Sequence, residues 1–341
     1  MKLEDLTYNY PEELIAQTPH RPSRVMWVEL FRTNEPREIT IQDLLQQIPA
    51  GDVLVINDTQ VLKRRIFLSD DLEILFLNSP NNKTWEVLFP SKKYKVGDKF
   101  TLPLGVEVKL VQKGRPQIIE ADRELDEAYF QKVAELPLPP YIQKARCQRH
   151  TISQDEAWYQ TAWSEKPGSF AAPTASLHFT NEDLQNLKAK GVLVEKVTLH
   201  VGLGTFLPVT VENLDDHVMH SEYVEIEAKS WSRILAAKNQ GQKIWSLGTT
   251  STRALESQFQ GMFSLDKNQE YYRGLTQLLI QPGFEFQVVD RLLTNFHQPQ
   301  STLLALVSAF SDLDKVKACY SWAIERKFQL FSYGDLSVWV R

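Results

Sequence analysis

Hydrophobic and polar positions follow two different patterns along the chain, and the first pattern precedes residue 67. Residues 41–48, IQDLLQQI, carry apolar side chains at helical spacing, and a turn at 49–52 leads into the continuous apolar run VLVIN at 53–57. Such a run is typical of a strand that is buried on both faces of a sheet. This part of the chain therefore predicts an α/β arrangement.

The second pattern covers residues 67–110, where short apolar runs are separated by turn-rich segments. LEILFL followed by NSPNN is one example of this texture. Strands at such close spacing predict a small barrel or sandwich. A helix is expected over 123–136, and the prolines of 136–142 exclude a helix interior there.

Helical spacing alternates again with short apolar runs after residue 150. We expect helices over 180–191, 228–241, 251–259 and 302–310, and strands over 194–201 and 243–248. This alternation favours an α/β domain with a largely buried, mixed sheet. The predicted fold is an α/β main domain with a mixed sheet, formed by residues 1–66 and 149–341 and interrupted by an inserted all-β barrel domain at 67–148.

Composition narrows the class of protein. The 341 residues are 43% hydrophobic and 24% charged, with both signs interspersed, which excludes disordered and low-complexity chains. No apolar run approaches the roughly 20 residues that cross a bilayer, and the start of the chain is acidic and polar, so we expect a cytoplasmic protein. Cys147 and Cys319 are too few and too far apart for a disulfide framework, a Cys-only zinc site or a three-cysteine iron–sulfur motif.

The segment 168–184 concentrates small residues, a proline and a histidine before a predicted helix. Thr180 and Asp183 have the spacing of a capping box, so Thr180 is expected to be the N-cap. His178 then lies near a helix N-terminus, whose dipole lowers the pKa of an imidazole. A catalytic and a structural histidine are equally compatible with this pattern.

Two further segments place glycines or acid–base groups after apolar runs. Gly202 and Gly204 lack the third glycine and the helix start of a dinucleotide fingerprint, so they mark either a turn or a close approach of the backbone to a flat ligand. His217, His220 and Glu222 lie close together in the sequence. They favour a metal-free acid–base cluster with Glu222 as a base over a metal site, and an ordinary strand-edge acid stays open.

Hydroxyl and amide side chains follow two more predicted strands. Thr249 and Thr250 begin a helix whose free N–H groups would bind an anion, although capping alone also explains them. Asn295 and His297 lie in the next such loop. Because several polar, ligand-sized loops follow buried elements, we expect them to form one shared site.

Basic residues are dense in two places although the formal net charge is -5. Arg64 and Arg65 follow the cluster NDT at 57–59, and Lys92, Lys93 and Lys95 lie in PSKKYKVGD. The net charge excludes a generic nucleic-acid coat. A solvated surface and a contact with a phosphate backbone both remain open for these side chains.

Several motifs, taken in order, extend over nearly the whole chain. They include NDTQV, PSKKYKVGD, LPLPPYI, GSFAAPTASLHFT, VTLHVGLGTFLPV, HVMHSEY, GTTSTRALES, LLTNFHQPQSTLLALVSAF and FSYGD. In this set the chain closely resembles the S-adenosylmethionine:tRNA ribosyltransferase-isomerase family of queuosine biosynthesis. The resemblance implies a two-domain fold with an inserted β-barrel and a monomer that needs no metal.

The resemblance also implies a reaction and two substrates. The ribosyl part of S-adenosylmethionine is moved onto the 7-aminomethyl-7-deazaguanine base of tRNA and isomerised, which gives epoxyqueuosine and releases adenine and methionine. S-adenosylmethionine is then expected at Asn57, Thr174, Gly202, Gly204, Thr249, Thr250 and Asn295. The tRNA is expected at Arg64, Arg65, Lys92, Lys93 and Lys95.

This chemistry needs a general base for the carbon beside the sulfonium, a proton donor for adenine and an unprotonated amine. The candidates are His178, Glu222, His297 and Asp58, and the sequence leaves open which is base and which is acid. Two other classes remain as alternatives. One is a metal-dependent hydrolase built on His217, His220 and Asp216, and the other is a non-catalytic RNA-binding protein.

Overall fold

The computed structural model describes residues 1–31, 35–69, 72–202, 204, 207 and 209–341. Leu203, Thr205, Phe206 and Pro208 of the glycine-containing segment lie outside the described residues. The chain forms two compact units. Unit 1 comprises Met1–Gln60, Pro139–Gln148 and Ala157–Arg341, and unit 2 comprises Val61–Leu138 and Arg149–Glu156. The domain boundaries at 67 and 148 stay a prediction.

Helices and strands alternate through most of the described chain. The helices are α1 Ile41–Gln47, α2 Glu127–Val133, α3 Pro140–Arg146, α4 Asp155–Trp158, α5 Asn181–Ala189, α6 Ala228–Asn239, α7 Thr249–Phe259, α8 Thr302–Phe310 and α9 Leu313–Glu325. The strands are β1 Arg24–Glu29, β2 Arg37–Thr40, β3 Val53–Asn57, β4 Thr59–Val61, β5 Arg65–Ser69, β6 Leu72–Phe76, β7 Thr84–Leu88, β8 Lys99–Leu102, β9 Val106–Gln112, β10 Gln117–Ala121, β11 Lys166–Ser169, β12 Leu193–Leu199, β13 Glu222–Glu227, β14 Ile244–Leu247, β15 Ser264–Leu265, β16 Tyr271–Thr276, β17 Arg291–Asn295 and β18 Leu336–Val340. Short 3₁₀ segments lie at Leu3–Leu6, Glu12–Leu14, Ser91–Lys93, Pro103–Gly105, Thr174–His178 and Leu214–Asp216.

Unit 1 is built on a ten-stranded sheet in the order β15-β16-β13-β12-β3-β14-β17-β18-β1-β2. Strands β12, β3, β14 and β17 are parallel neighbours. Strand β13 pairs antiparallel with β12 and β16, whereas β18 pairs antiparallel with β17 and parallel with β1. The mixed sheet predicted from the alternation of elements is therefore confirmed.

Strand β3 lies in the middle of this sheet and is buried along its whole length. Val53 and Val55 point into one hydrophobic cluster, and Leu54 and Ile56 point into another. Helices α6, α7 and α8 contribute to the first cluster, and α1 and α5 contribute to the second. Burial on two faces explains why the run at 53–57 has no polar alternation.

The four parallel strands end at the same edge of the sheet. Asn57 is the last residue of β3, Gly248 follows β14, and Asn295 ends β17. Strand β12 ends at Leu199, directly before His200. In open α/β sheets, ligands bind outside the carboxyl ends of parallel strands. The polar loops noted in the sequence are therefore collected at one edge.

Local signals set the helix starts near this edge. The Thr180 side chain accepts a hydrogen bond from the Asp183 N–H, and the Asp183 carboxylate accepts from the Thr180 N–H, so the predicted capping box is confirmed. Ser301 caps α8 in the same way through the Leu304 N–H. Helix α3 begins at Pro140, where a proline has no intrahelical hydrogen bond to lose.

Unit 2 contains a six-stranded antiparallel, barrel-like sheet in the order β5-β6-β7-β10-β9-β8. Its interior is aromatic: Phe76, Trp85 and Phe130 meet edge to face at centroid distances of 5.0–5.6 Å. The barrel-like antiparallel sheet predicted for this part of the sequence is confirmed, and helix α2 adds Phe130 to its interior. No helix in the described ranges is long and apolar enough to cross a bilayer.

Candidate active site

A cavity of about 410 Å³ lies in unit 1 at the carboxyl edge of the parallel strands. Residues of the segments 171–175, 217–222, 248–253, 278–280 and 294–306 line it, together with Val201, Gly204, Leu207, Val209, Tyr141, Tyr159, Phe331 and Ser332. Its volume falls in the range of about 300–1,000 Å³ that is typical of small-ligand sites. The expectation that the polar loops meet is therefore confirmed for five of the segments noted in the sequence, which contribute Thr174, Gly204, Glu222, Thr249 and Asn295.

Helix α7 opens onto this cavity. Gly248, with φ of +91°, turns the chain from β14 into the helix and provides no capping side chain. Within the described chain, no acceptor contacts the N–H groups of Thr249, Thr250 and Ser251. Thr250 is held by Asn57, whose amide nitrogen donates to its Oγ1 at 3.2 Å. The first turn thus presents free donors and the positive end of the helix dipole to the cavity.

Asn57 itself is fully buried and does not line the cavity. Its amide also donates to the Leu199 carbonyl and accepts from the N–H groups of Leu199 and Thr59. Every polar atom of the Asn57 side chain is thus bound within unit 1, where it positions Thr250. A direct contact of Asn57 with S-adenosylmethionine stays a prediction.

Glu222 and Arg253 form a buried ion pair in the cavity wall, with 7% and 6% of each residue exposed. Glu222 Oε1 accepts from the Gly202 N–H at 2.9 Å, and Oε2 pairs with Arg253 Nη1. Arg253 Nε donates to the Leu278 carbonyl at 3.2 Å. Gly202 therefore contributes by orienting Glu222, and it does not line the cavity itself, whereas Gly204 does.

Arg253 was not among the residues singled out from the sequence. It lies four residues after Thr249, which places both on one face of α7. Its Nη2 atom is buried and has no hydrogen-bond partner in the described part of the chain. The only sequence feature that could have indicated Arg253 is its spacing of four residues from Thr249, in the hydroxyl-rich first turn of α7.

His178 does not line the large cavity, but it orients a residue that does. Asn295 Nδ2 donates to His178 Nε2 at 3.1 Å, and His178 Nδ1 contacts Ser23 Oγ at 2.7 Å. Ser23 Oγ donates to the His20 carbonyl, so it accepts from the imidazole, whose proton is on Nδ1. Asn295 Oδ1 accepts from Thr174 Oγ1 at 2.9 Å.

We call this series of hydrogen bonds the Ser23–Thr174 relay. Burial lowers the pKa of His178 to about 4, so its ring is neutral near pH 7. Both nitrogens of this neutral ring are already hydrogen-bonded, to Ser23 and to Asn295, so the ring has no proton available for a ligand. Thr174 and Asn295 line the cavity as predicted, and His178 acts through Asn295 as a positioning residue.

His297 lies in the cavity wall and is also neutral, because burial lowers its pKa to about 3. Its Nε2 contacts Thr294 Oγ1 at 2.8 Å. The backbone of the same residue is fixed by two tyrosines: its N–H donates to the Tyr320 hydroxyl, and its carbonyl accepts from the Tyr8 hydroxyl. Nδ1 has no partner among the described residues, so it is open to a hydrogen bond with a ligand in the cavity.

Two further histidines, His217 and His220, also line the cavity. Burial, and to a smaller degree the neighbouring His220, lower the pKa of His217. The described ranges contain no group of three or more His, Cys, Asp or Glu residues arranged to hold a metal ion.

Asp58 is the predicted catalytic residue whose side chain is turned away from the cavity. Its carboxylate accepts from the Thr198 hydroxyl at 2.7 Å, and burial raises its pKa. It does not line the cavity. Its position directly after β3 resembles that of a ligand-facing acid, but the side chain is turned towards Thr198 of β12. The structure thus supports a structural role, and a catalytic role of Asp58 stays a prediction.

The predicted basic residues fall into two groups within unit 2. Lys92, Lys93 and Lys95 are not buried and make no ion pair with any described residue. Arg64 and Arg65 are only 8% and 4% exposed. They pair inside the unit with the carboxylates of Glu127 and Glu135 respectively.

Arg64 also lies 4.3 Å from the centroid of the Phe130 ring. The structure therefore shows Arg64 and Arg65 paired inside unit 2, and their contact with RNA stays a prediction. Adjacent charges in a sequence look exposed, yet here the Arg64 guanidinium lies against the aromatic interior and that of Arg65 lies 5.1 Å from the Phe67 ring centroid.

The model of the family described as "Queuosine biosynthesis protein" matches residues 3–338. The chain belongs to this family. It is similar to the S-adenosylmethionine:tRNA ribosyltransferase-isomerases of Halothermothrix orenii, at 41% identity, and Staphylococcus epidermidis, at 39% identity, and each comparison covers 98% of both chains. The family is thus one of enzymes that combine transferase and isomerase activity.

A solved structure supports the same relationship. The S-adenosylmethionine tRNA ribosyltransferase of Thermotoga maritima is 27% identical to this chain, with a TM-score of 0.55. The comparison covers 98% of this chain and 100% of the other. The likeness therefore extends over both the α/β and the all-β parts.

Proposed function

We propose that the chain transfers the ribosyl moiety of S-adenosylmethionine to the 7-aminomethyl-7-deazaguanine base of tRNA and isomerises it. The products are epoxyqueuosine-tRNA, adenine and methionine. The observation that carries this proposal is a small-molecule cavity at the carboxyl edge of the sheet, in a chain that is similar over 98% of its length to enzymes named for this reaction. The cavity combines free donors, a buried ion pair and a neutral imidazole.

S-adenosylmethionine is the substrate that we assign to this cavity. Thr174, Asn295, Thr249 and Thr250 provide hydrogen-bonding groups in its wall. Apolar and aromatic side chains, including Tyr159, form much of the rest. This mixture of a few fixed polar groups with an apolar lining is typical of sites for small organic ligands.

The proton transfers can be assigned to side chains in contact with the cavity. His297 lies in the cavity wall with Nδ1 unbound within the described chain, and it is one group that can take the proton from the carbon next to the sulfonium, although its burial disfavours the protonated ring. Glu222 is the second group able to accept a proton there. The amine of the modified base must lose a proton when its nitrogen bonds to the ribosyl carbon, and departing adenine must gain one.

The tRNA is assigned to the solvent-accessible lysines of unit 2, Lys92, Lys93 and Lys95. Three positive charges within four residues produce a local field that decays over about 8 Å at physiological salt. Such a field attracts phosphates even though the net charge of the chain is -5. In this proposal residues 67–148 form an RNA-holding domain, and the enzyme acts in the cytoplasm as a monomer without a metal.

The test is incubation of the purified protein with labelled S-adenosylmethionine and with tRNA that carries the aminomethyl base. We expect free adenine and methionine in equal amounts, and only when both substrates are present. Unmodified tRNA of the same sequence is the matched control. Methylated tRNA as the product would contradict the proposal, because it would mean that only the methyl group is transferred.

A further inference from the structure

One wall of the cavity contains a cationic nitrogen with no acceptor in the part of the chain that the structure describes. Arg253 is only 6% exposed, and two of its three guanidinium nitrogens have hydrogen-bond partners. The third, Nη2, has no partner among the described residues. Buried donors without an acceptor are rare and costly, so this atom points to a group that the site takes up.

The start of α7 provides a second, independent set of donors at the same place. Thr249 and Thr250 line the cavity beside Arg253, and their N–H groups have no acceptor within the described chain. Helix α7 has 11 residues, so its dipole is well developed. Free N–H groups and a guanidinium on one face form a seat for an anion.

Glu222 decides which kind of anion fits. Its carboxylate already pairs with Arg253 Nη1, so the ion pair as a whole is neutral. A dianion such as phosphate would be repelled by Glu222, whereas a carboxylate next to an ammonium group would match both partners. An α-amino acid carries these two groups on one carbon.

We propose that the Arg253–Glu222 pair and the start of α7 bind the α-amino-acid end of a ligand. The carboxylate is bound by Arg253 Nη2 and by the N–H groups of Thr249 and Thr250. The ammonium lies against Glu222. The inference rests on the proposed function, in which the methionine part of S-adenosylmethionine is that end of the substrate.

The test compares ligands that differ only in the carboxylate. Isothermal titration of the full chain measures S-adenosylmethionine against decarboxylated S-adenosylmethionine, and L-methionine against 3-methylthiopropylamine. We expect the wild-type protein to bind each carboxylate-bearing ligand roughly 10- to 100-fold more tightly, as befits charged hydrogen bonds. In Arg253→Met the two members of each pair should bind within about threefold of one another.

Control variants separate this effect from misfolding. Arg253→Met leaves Glu222 buried without its partner, so Arg253→Met/Glu222→Gln is measured as well and should show the same loss of discrimination. Arg233→Met breaks another ion pair of unit 1, with Glu195, which does not line the cavity. It should keep the wild-type preference for the carboxylate.

The outcomes distinguish the two proposals. Equal binding of both members of each pair by the wild-type protein, with normal turnover, would overturn the amino-acid seat and leave the reaction intact. Absence of any binding of S-adenosylmethionine would refute the reaction, and the L-methionine pair would still decide for or against the seat. Inorganic phosphate that displaces L-methionine at equal concentration would also overturn it.

Discussion

Both units bury arginines beside carboxylates, but they use them differently. In unit 2, Arg64 lies against the ring of Phe130 and pairs with Glu127 on the outside of an aromatic interior. In unit 1, Arg253 pairs with Glu222 in the wall of a cavity. The difference teaches that a buried ion pair by itself does not mark a site. What marks it is the open space next to the pair and the polar atoms that face that space.

The largest expected effect comes from neutralising the carboxylate of each pair in turn. Glu222→Gln should lower kcat, measured by adenine release, by roughly a hundredfold or more if this carboxylate accepts a proton. Glu127→Gln should leave kcat unchanged and lower stability by no more than about 1 kcal/mol, because Glu127 is half exposed. Equal losses of kcat in the two variants would remove the distinction between the units.

The next largest effect is expected on the free energy of unfolding at acid pH, which should depend on buried histidines of unit 1 and not on the exposed histidine of unit 2. The pKa values of His178 and His297 are lowered to about 4 and about 3, against 6.5 for a free imidazole. Below pH 6.5 the unfolded chain therefore binds protons that the folded chain does not, so stability is full above pH 6.5 and falls as the pH drops towards 4. Each group contributes at most about 1.4 kcal/mol per pH unit in this window.

The measurement is the urea midpoint as a function of pH. His178→Asn should reduce the slope between pH 6.5 and 4, because one of the two buried imidazoles is gone. His150→Asn is the matched control, since the side chain of His150 is 49% exposed in unit 2. A slope that is unchanged in His178→Asn would show that this ring is not held neutral.

A smaller effect is expected from the solvent-accessible lysines of unit 2. Lys92→Ala/Lys93→Ala should raise KM for tRNA several-fold and lower the salt slope of tRNA binding by somewhat under one unit for each phosphate that is no longer neutralised. Binding of S-adenosylmethionine should not change. Lys99→Ala/Lys109→Ala, a cross-strand pair of exposed lysines in the same sheet, is the control. Equal slopes in the two double variants would place the RNA surface elsewhere.

The smallest expected effect is that of chelation. If His217 and His220 are not part of a metal site, dialysis against EDTA should leave adenine release unchanged within error. Added Zn²⁺ should not increase it. Loss of activity on dialysis, with recovery on addition of a divalent ion, would instead favour the metal-dependent hydrolase class.

Much of the fold and of the cavity could be predicted because it depends on local pattern. The run at 53–57 predicts a doubly buried strand, and Thr180 with Asp183 predicts a helix start. Polar loops after parallel strands must meet at one edge, so Thr249 and Asn295 could be placed together without knowing the strand order. These inferences need only the period of a strand or helix and the direction of the chain.

The remaining features depend on how distant segments align. The partner of Arg253 is 31 residues away, on a strand whose position opposite α7 follows from the order of the whole sheet. Burial of Arg64 depends on α2 lying over the small sheet, and no local signal reveals that. Asp58 and Asn57 both lie at the end of β3, so the sequence gives them equivalent positions. Only the direction in which the chain turns after the strand makes Asp58 face Thr198.

The Ser23–Thr174 relay has a consequence for what the cavity can distinguish. Asn295 Nδ2 is committed to His178 and to the Gly334 carbonyl, so its oxygen must face Thr174. Thr174 Oγ1 therefore donates its hydroxyl hydrogen to that oxygen. Only the lone pairs of Thr174 Oγ1 remain, so a ligand atom next to it has to bring its own hydrogen. The direction of these hydrogen bonds inside the protein therefore determines which ligand groups can bind at this part of the cavity wall. Amino and hydroxyl groups can bind to Thr174, and a bare carbonyl or ring nitrogen cannot.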